Sequence, residues 1–176
     1  MEFRVLPIKN RELFLKYAIP CGEVLVRRGE LRDDLLKRMN DDVSHGQASR
    51  DIKIENIFRV ASRMCTILAR KMNKTEIDDE VIRSYFMKEH EKAIKWRQEV
   101  HPDLKLKDCL VYPGRVIEAG DSEALIKTPL GEALFRNDFD RKLEPGDRVS
   151  THYDHVSEKI SAHHERIMSD MLKKVL

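Results

Sequence analysis

The stretch that decides the fold begins with CLVYPGRV at residues 109–116 and ends with EPGDRVSTHY at residues 144–153. Between these segments, short runs of alternating apolar and polar residues are separated by turn residues, as in AGD at 119–121 and TPLG at 128–131. Glycine and aspartate favour tight hairpins, and proline fixes φ in a turn. Several short strands at near-regular spacing are typical of a small barrel or sandwich, not of a parallel sheet crossed by helices. We therefore predict a small β-barrel here.

A change of period follows the last strand. From Ser157 onwards, the apolar residues recur at i, i+3, i+4 and i+7 instead of at every second position, which is typical of an amphipathic helix. They are Ile160, Ile167, Met168, Met171 and Leu172. We therefore expect a closing helix that lies on the barrel with one face.

The motifs at the two ends of this stretch carry a family resemblance. The pattern Cys-x-x-x-Pro-Gly-x-Val, then Gly-Asp-x-Val-x-x-His and a spaced Ile, resembles the HypC/HupF family of hydrogenase maturation chaperones. The resemblance covers residues 108–176, with the family's order of elements and its C-terminal helix. The positions that fall on the family pattern are Cys109, Pro113, Gly114, Gly146, Asp147, Val149, His152 and Ile160.

The resemblance implies a fold and a function. In that family the domain is an OB-like barrel with a helix, which carries an Fe(CN)2CO unit to the hydrogenase large-subunit precursor, with HypD as partner. The family's cysteine and histidine form its functional pair, so Cys109 and His152 are the implied metal ligands. The family's cysteine follows the initiator methionine, whereas 108 residues precede Cys109. Asp154 and His155 stand where the family has Gly-Phe.

The chemistry of thiolate and imidazole suits a carrier. A thiolate is a soft anionic ligand and imidazole a borderline one, so two such groups can hold iron and leave positions open for other ligands. From the residues alone, Cys109 is equally well a small buried hydrophobe at a strand start. A histidine such as His152 is more often a surface or core histidine of the barrel than a ligand. His155 is a further candidate ligand, but i and i+3 on a continuous strand face opposite sides, so it requires a bend at Asp154.

Composition bounds the class of protein. The 176 residues are 41% hydrophobic and 36% charged, which is typical of a soluble globular chain. No apolar run approaches the ~20 residues that a membrane span needs, and the first residues lack the pattern of a signal peptide. We therefore expect a cytoplasmic protein. Cys21, Cys65 and Cys109 are odd in number and far apart, which argues against a disulfide framework and a zinc ribbon; Cys65 lies on an apolar helix stripe and is expected in the core.

Charge is distributed unevenly along the chain. Residues 108–176 hold 10 Lys/Arg and 13 Asp/Glu, a net −3, so residues 1–107 hold the remaining 23 and 18, a net +5. An OB-like nucleic-acid-binding protein is one alternative function, with Tyr112, Phe135 and Tyr153 stacking on bases. The acidic barrel disfavours it, because phosphate binding needs positive potential.

The first 105 residues are expected to be helical. A first helix is predicted from the N-cap Asn10 to a stop at Pro20. Clearer apolar stripes predict helices over residues 57–72 and 77–100. Residues 1–105 are therefore predicted to form a helical domain and residues 106–176 the barrel with its helix, which together make an α+β chain.

These observations lead to one expected function and its alternatives. We expect a HypC-like metallocentre assembly chaperone or protein-interaction module, not an enzyme, since no hydrolase triad or phosphate loop is present. The expected partners are a HypD-like protein or a hydrogenase large-subunit precursor, and a second copy of the chain is a further candidate. The carrier function predicts that Cys109 is exposed near His152. The second alternative is a non-catalytic scaffolding protein, in which Cys109 and His152 lie apart or are buried.

Overall fold

A computed structural model describes residues 2–48, 50–140 and 142–176 of the chain. The chain divides between Glu89 and His90 into two compact units. Within the described residues, no helix has both the length and the apolar character needed to cross a membrane.

The first unit is helical. Its α-helices are α1 (Arg11–Arg27), α2 (Asp33–Ser44), α3 (Ile54–Ile57), α4 (Arg59–Lys71) and α5 (Asp79–Ser84), followed by a π-helical turn over Tyr85–Glu89. Phe14 and Tyr17 of α1 lie on Phe86, with ring centroids 6.3 and 5.1 Å away. Phe14, Tyr17 and Phe86 are at most 1% exposed, so they centre the core of this unit.

Helix α1 begins where the sequence predicts and ends later. The Asn10 side chain accepts a hydrogen bond from the Leu13 N–H at 3.0 Å, which confirms the predicted N-cap. The predicted stop at Pro20 is wrong, because α1 continues through this residue to Arg27. An interior proline removes a hydrogen bond and costs about 3 kcal/mol. Burial of most of α1 between Leu13 and Gly22, including Phe14 and Tyr17, offsets this cost.

The second unit combines helices with a small sheet. Its helices are α6 (His90–Gln98), α7 (Leu106–Cys109) and α8 (Ala162–Val175). Its strands are β1 (Val111–Ala119), β2 (Glu123–Thr128), β3 (Gly131–Arg136), β4 (Arg148–His152) and β5 (His155–Lys159). The prediction of a mixed helical and β chain is therefore confirmed.

The sheet closes on itself in the order β1-β2-β3-β5-β4, with β1 paired to both β2 and β4. These pairings are antiparallel. The closure between β3 and β5 is parallel and consists of the single pair Arg136 and His155. The remainder of β3 therefore has only β2 as a neighbouring strand among the described residues.

Two apolar clusters hold this unit together. One lies inside the sheet and comprises Val116, Ala124, Ile126, Leu143, Val149 and Val156. The other lies under helices α6 and α8 and comprises Ile94, Cys109, Leu110, Tyr112, Met171 and Leu172. Because Ile94 of α6 belongs to the second cluster, the structure divides the chain at residue 89 and not at residue 105, where the sequence placed the boundary.

Candidate functional site

Cys109 is the last residue of α7 and stands two residues before β1. The short helix ends as the chain extends at Leu110, whose ψ is 157°. Leu110 is fully buried and anchors this junction in the apolar cluster under α6 and α8. Cys109 itself is 5% exposed, so its thiol is in an almost dry environment.

The structure brings His152 next to Cys109. His152 is the last residue of β4 and is paired with Val111 of β1, which places it beside the end of α7. Its Nε2 lies 3.0 Å from the carbonyl oxygen of Cys109. A carbonyl oxygen can only accept a hydrogen bond, so Nε2 carries the proton and the lone pair of the neutral ring is on Nδ1. The contact therefore fixes one tautomer of His152.

Tyr153 contacts the cysteine sulfur directly. Its hydroxyl donates to the Cys109 Sγ at 3.1 Å. Tyr153 is the first residue of the two-residue turn between β4 and β5, and its φ is +53°. A left-handed backbone is unfavourable for a bulky side chain by about 1 to 2 kcal/mol. The turn thus holds a tyrosine in a costly conformation that places its hydroxyl on the sulfur.

A second buried histidine, His90, completes the cluster, and sequence reasoning missed it. Its ring centroid lies 5.2 Å from that of His152, with the planes at 85°. Burial, and then the neighbouring His152, lower its pKa well below the usual value, while a hydrogen bond to the Cys109 backbone opposes the shift. The sequence feature that could have indicated its burial is its position four residues after Phe86, which places both residues on the same face of a helix.

His155 lies in different surroundings. It pairs with His152 across the β4–β5 turn, so the bend that the sequence argument required is this hairpin. Its Nδ1 is 2.8 Å from the Asp154 carboxylate and its Nε2 is 3.8 Å from that of Asp138. The hydrogen bond to His155 lowers the pKa of Asp154. Two polar contacts of His155 are therefore with carboxylates, whereas a ring nitrogen of His152 contacts the Cys109 carbonyl.

The motif residues have clear structural roles. A Cβ on Gly114 would lie 2.5 Å from Cγ2 of Ile126, so the buried start of β1 has space only for glycine. Its neighbour Pro113 is also buried in β1 and pairs with Ser150 of β4.

Gly146 and Asp147 form a turn against β1. Gly146 has a φ of +92°, and the Asp147 N–H donates to the Glu144 carbonyl at 3.1 Å, as a type II turn with Pro145 and Gly146 at its centre requires. The Asp147 carboxylate accepts from the Glu144 N–H at 2.8 Å and pairs with Lys159 at 3.1 Å. Gly146 donates to the carbonyl of Val116 at 2.8 Å, which fixes the turn on β1.

The three aromatic rings considered for base stacking are engaged within the unit. Tyr112 is 5% exposed and donates its hydroxyl to the Lys107 carbonyl at 2.5 Å. Tyr153 bonds Cys109, and Phe135 packs against the cluster inside the sheet. This arrangement offers little ring surface for stacking on a nucleic acid.

Thiolate and imidazole, the donor groups that Cys109 and His152 carry, are ligand types that soft and borderline metal ions accept. The Nε2–H bond of His152 to a backbone carbonyl is the contact that metal-binding histidines usually make with their second nitrogen. The Tyr153 hydroxyl is a donor to sulfur and would stabilise the thiolate form of Cys109. Burial of both residues means that a metal fragment could reach them only if this region opens.

The chain matches no protein-family model and no curated protein.

Proposed function

We propose that the second unit is a HypC-like metallocentre assembly module, in which an OB-like barrel carries a low-valent iron fragment on Cys109 and His152. The observation that carries the proposal is the 3.0 Å contact between the His152 ring and the Cys109 carbonyl, supported by the Tyr153 hydroxyl on the sulfur. The two residues that the motif selects, 43 positions apart in sequence, are neighbours in space.

The surroundings of the pair favour transient binding. Two ligands, one thiolate and one imidazole, leave most of the coordination sphere to diatomic ligands and to a receiving protein. The sulfur has an alternative partner in Tyr153, and the His152 ring is already held in the tautomer that offers Nδ1 to a metal. On release of the cargo the Tyr153 hydroxyl would bond the sulfur again, and the Nε2–H bond of His152 would be retained, so the emptied site would remain folded.

Access to the pair depends on the β4–β5 turn. Cys109 is 5% exposed and His152 is fully buried, whereas Tyr153 is only half-buried and has a left-handed backbone. A shift of Tyr153 would relieve its unfavourable φ and uncover the sulfur at the same time. We therefore place the opening of the carrier at Tyr153.

The test is the iron content and infrared spectrum of the full chain, purified without oxygen from its own cell. We expect bands of cyanide and carbonyl ligands that are lost in Cys109→Ala and in His152→Ala. Cys65→Ala and His163→Gln are the matched controls, because each removes a thiol or an imidazole elsewhere and should leave the bands unchanged. Tyr153→Phe removes the hydroxyl on the sulfur and should alter the iron content while the fold is retained.

Absence of the bands from the wild-type protein, with the maturation machinery present, would refute the carrier function. The Cys109, His152 and Tyr153 contacts would then be structural, and the unit would be a protein-interaction module. Salt-dependent binding of single-stranded RNA or DNA would instead favour the nucleic-acid alternative.

A further inference from the structure

Strand β3 has an edge that the sheet does not use. On one side it pairs with β2 along its whole length, from Gly131 to Arg136. On the other side its pairing with β5 is limited to Arg136 and His155. Over the described strands, residues 131–135 therefore have no neighbour on this second side.

Two hydrogen bonds fix which backbone groups face that open side. The N–H of Arg136 donates outward to the carbonyl of Asp154 at 2.7 Å, whereas the N–H of Asn137 donates inward to Ser122, before β2, at 2.8 Å. Backbone groups alternate along a strand. The N–H and C=O groups of Glu132 and Leu134 therefore point to the open edge, like those of Arg136.

The side chains on this strand do not protect the edge. Leu134 is 64% exposed, which makes it one of the most exposed large apolar residues of the unit. Natural sheets usually protect such edges with lysine, proline, a bulge or a covering element. Residues 132–135 contain neither lysine nor proline, and the register with β2 is regular. An exposed leucine on a strand whose outward N–H and C=O groups, those of Glu132 and Leu134, face no neighbouring strand among the described residues is typical of a strand that receives another strand.

We propose that this edge is a dimerisation surface, where β3 of two copies of the chain pair antiparallel with Glu132 opposite Leu134 of the partner subunit. Each Glu132–Leu134 pair across the two copies exchanges two N–H···O=C hydrogen bonds. The symmetry gives two such pairs, and therefore four intermolecular hydrogen bonds. Ala133 then lies opposite Ala133 of the partner subunit, where its small side chain permits close approach. The pairing goes beyond the metal-carrier function and does not depend on it.

Charge complementarity on this strand favours a second copy as the occupant. Glu132, Leu134 and Arg136 lie on one face of β3 because side chains alternate along a strand. In the antiparallel arrangement, Glu132 is the diagonal neighbour of Arg136 of the partner subunit, a spacing that long side chains can bridge. The acidic residue at one end of the segment E-A-L-F-R at 132–136 therefore lies near the basic residue of the other copy, and this ion pair forms twice in the dimer.

The extent of the contact limits its strength. A short strand pairing buries less than the surface of a standard interface, so we expect a weak dimer with a Kd in the micromolar range. The intermolecular strand pairing would end before Arg136, because the N–H of Arg136 already donates to the Asp154 carbonyl.

The oligomeric state of the full chain tests the proposal. In sedimentation equilibrium at about 1 to 300 µM, a range that brackets a micromolar Kd, the mass should rise from 20.6 kDa towards twice that value. Leu134→Lys places a charge on the edge, and Leu134→Pro removes the outward N–H without touching the β2 ladder. Both variants should remain monomeric.

The matched control is Val100→Lys, because Val100 is 67% exposed, as Leu134 is, but lies outside the sheet. This variant should dimerise like the wild type. A wild type that stays monomeric over the whole range, or a dimer that persists in both Leu134 variants, would overturn the proposal.

Hydrogen exchange of the wild type gives a readout that does not depend on how the variants fold. The amides of Glu132 and Leu134 should gain protection as concentration rises, whereas those of Ala133 and Phe135 point towards β2 and should be protected throughout. Equal, concentration-independent exchange at Glu132 and Leu134 would also refute the pairing.

Discussion

At the scale of single residues, the cluster around Cys109 shows what a motif can and cannot indicate. The sequence pattern selected Cys109 and His152, and the structure places them in contact through the Cys109 carbonyl. The sequence pattern did not indicate that Tyr153 would bond the sulfur or that His90 would lie next to the His152 ring. Those contacts depend on a left-handed turn residue and on a helix that precedes the barrel, and neither has a signature in the motif.

Gly114 provides a prediction at this scale. A methyl group at this position would overlap Cγ2 of Ile126, so Gly114→Ala should lower the free energy of unfolding by about 1 to 3 kcal/mol. Urea unfolding of the full chain, monitored by a signal that reports on the barrel, measures this change in the free energy of unfolding. Ile126→Ala removes the clashing atom, so the double variant should be less destabilised than the sum of the single variants. Additive effects would show that the glycine serves another purpose.

At the scale of elements, turns decide how the strands of this unit meet. The type II turn at Pro145-Gly146 was predictable, because its residues match the backbone that the turn requires. The two-residue turn at Tyr153-Asp154 was not, because tyrosine disfavours a positive φ. The surrounding contacts impose it: the Asp154 carbonyl accepts from Arg136, and the Tyr153 hydroxyl reaches Cys109.

The turn before β4 should make stability depend on pH. The Glu144 N–H, and also Lys159, hold the pKa of Asp147 below its usual value. A carboxylate whose folded pKa is lowered stabilises the fold above its unfolded pKa of about 3.9, and this contribution is lost as pH falls through the folded value. Asp147→Asn should therefore lower the free energy of unfolding by about 1 kcal/mol at pH 7 and by progressively less below pH 4.

Urea denaturation of the two proteins at several pH values measures this difference. Asp121→Asn serves as the control, because Asp121 is an exposed aspartate in the β1–β2 turn. A gap between wild type and Asp147→Asn that is the same at pH 7 and pH 3 would contradict the role given to the carboxylate.

At the scale of the whole molecule, the division of the chain follows apolar packing. The sequence analysis placed the domain boundary at residue 105, where proline and charged residues separate the helical stripe from the strands. The structure assigns α6 to the second unit, because Ile94 packs into one cluster with Leu110 and Leu172. Helix periodicity reveals which face of α6 is apolar but not which core that face joins.

This division predicts the behaviour of fragments. A fragment of residues 90–176 retains Ile94 and should unfold cooperatively, whereas a fragment of residues 106–176 leaves part of that cluster exposed. Loss of the buried Ile94 side chain alone should lower the free energy of unfolding by about 2 to 3 kcal/mol. Thermal unfolding of both fragments by circular dichroism measures the difference. Equal stability would mean that α6 adds nothing to the second unit.

Local features of this protein follow from the sequence alone: the strands, through alternation; the type II turn, through proline and glycine; the N-cap of α1; and the burial of Cys65. Each depends on neighbours within a few residues, so a linear pattern records it. Three other features could not be predicted from local patterns: the course of α1 through Pro20, the histidine pair at Cys109, and the open edge of β3. These depend on contacts between distant segments, whose burial energy outweighs local preference.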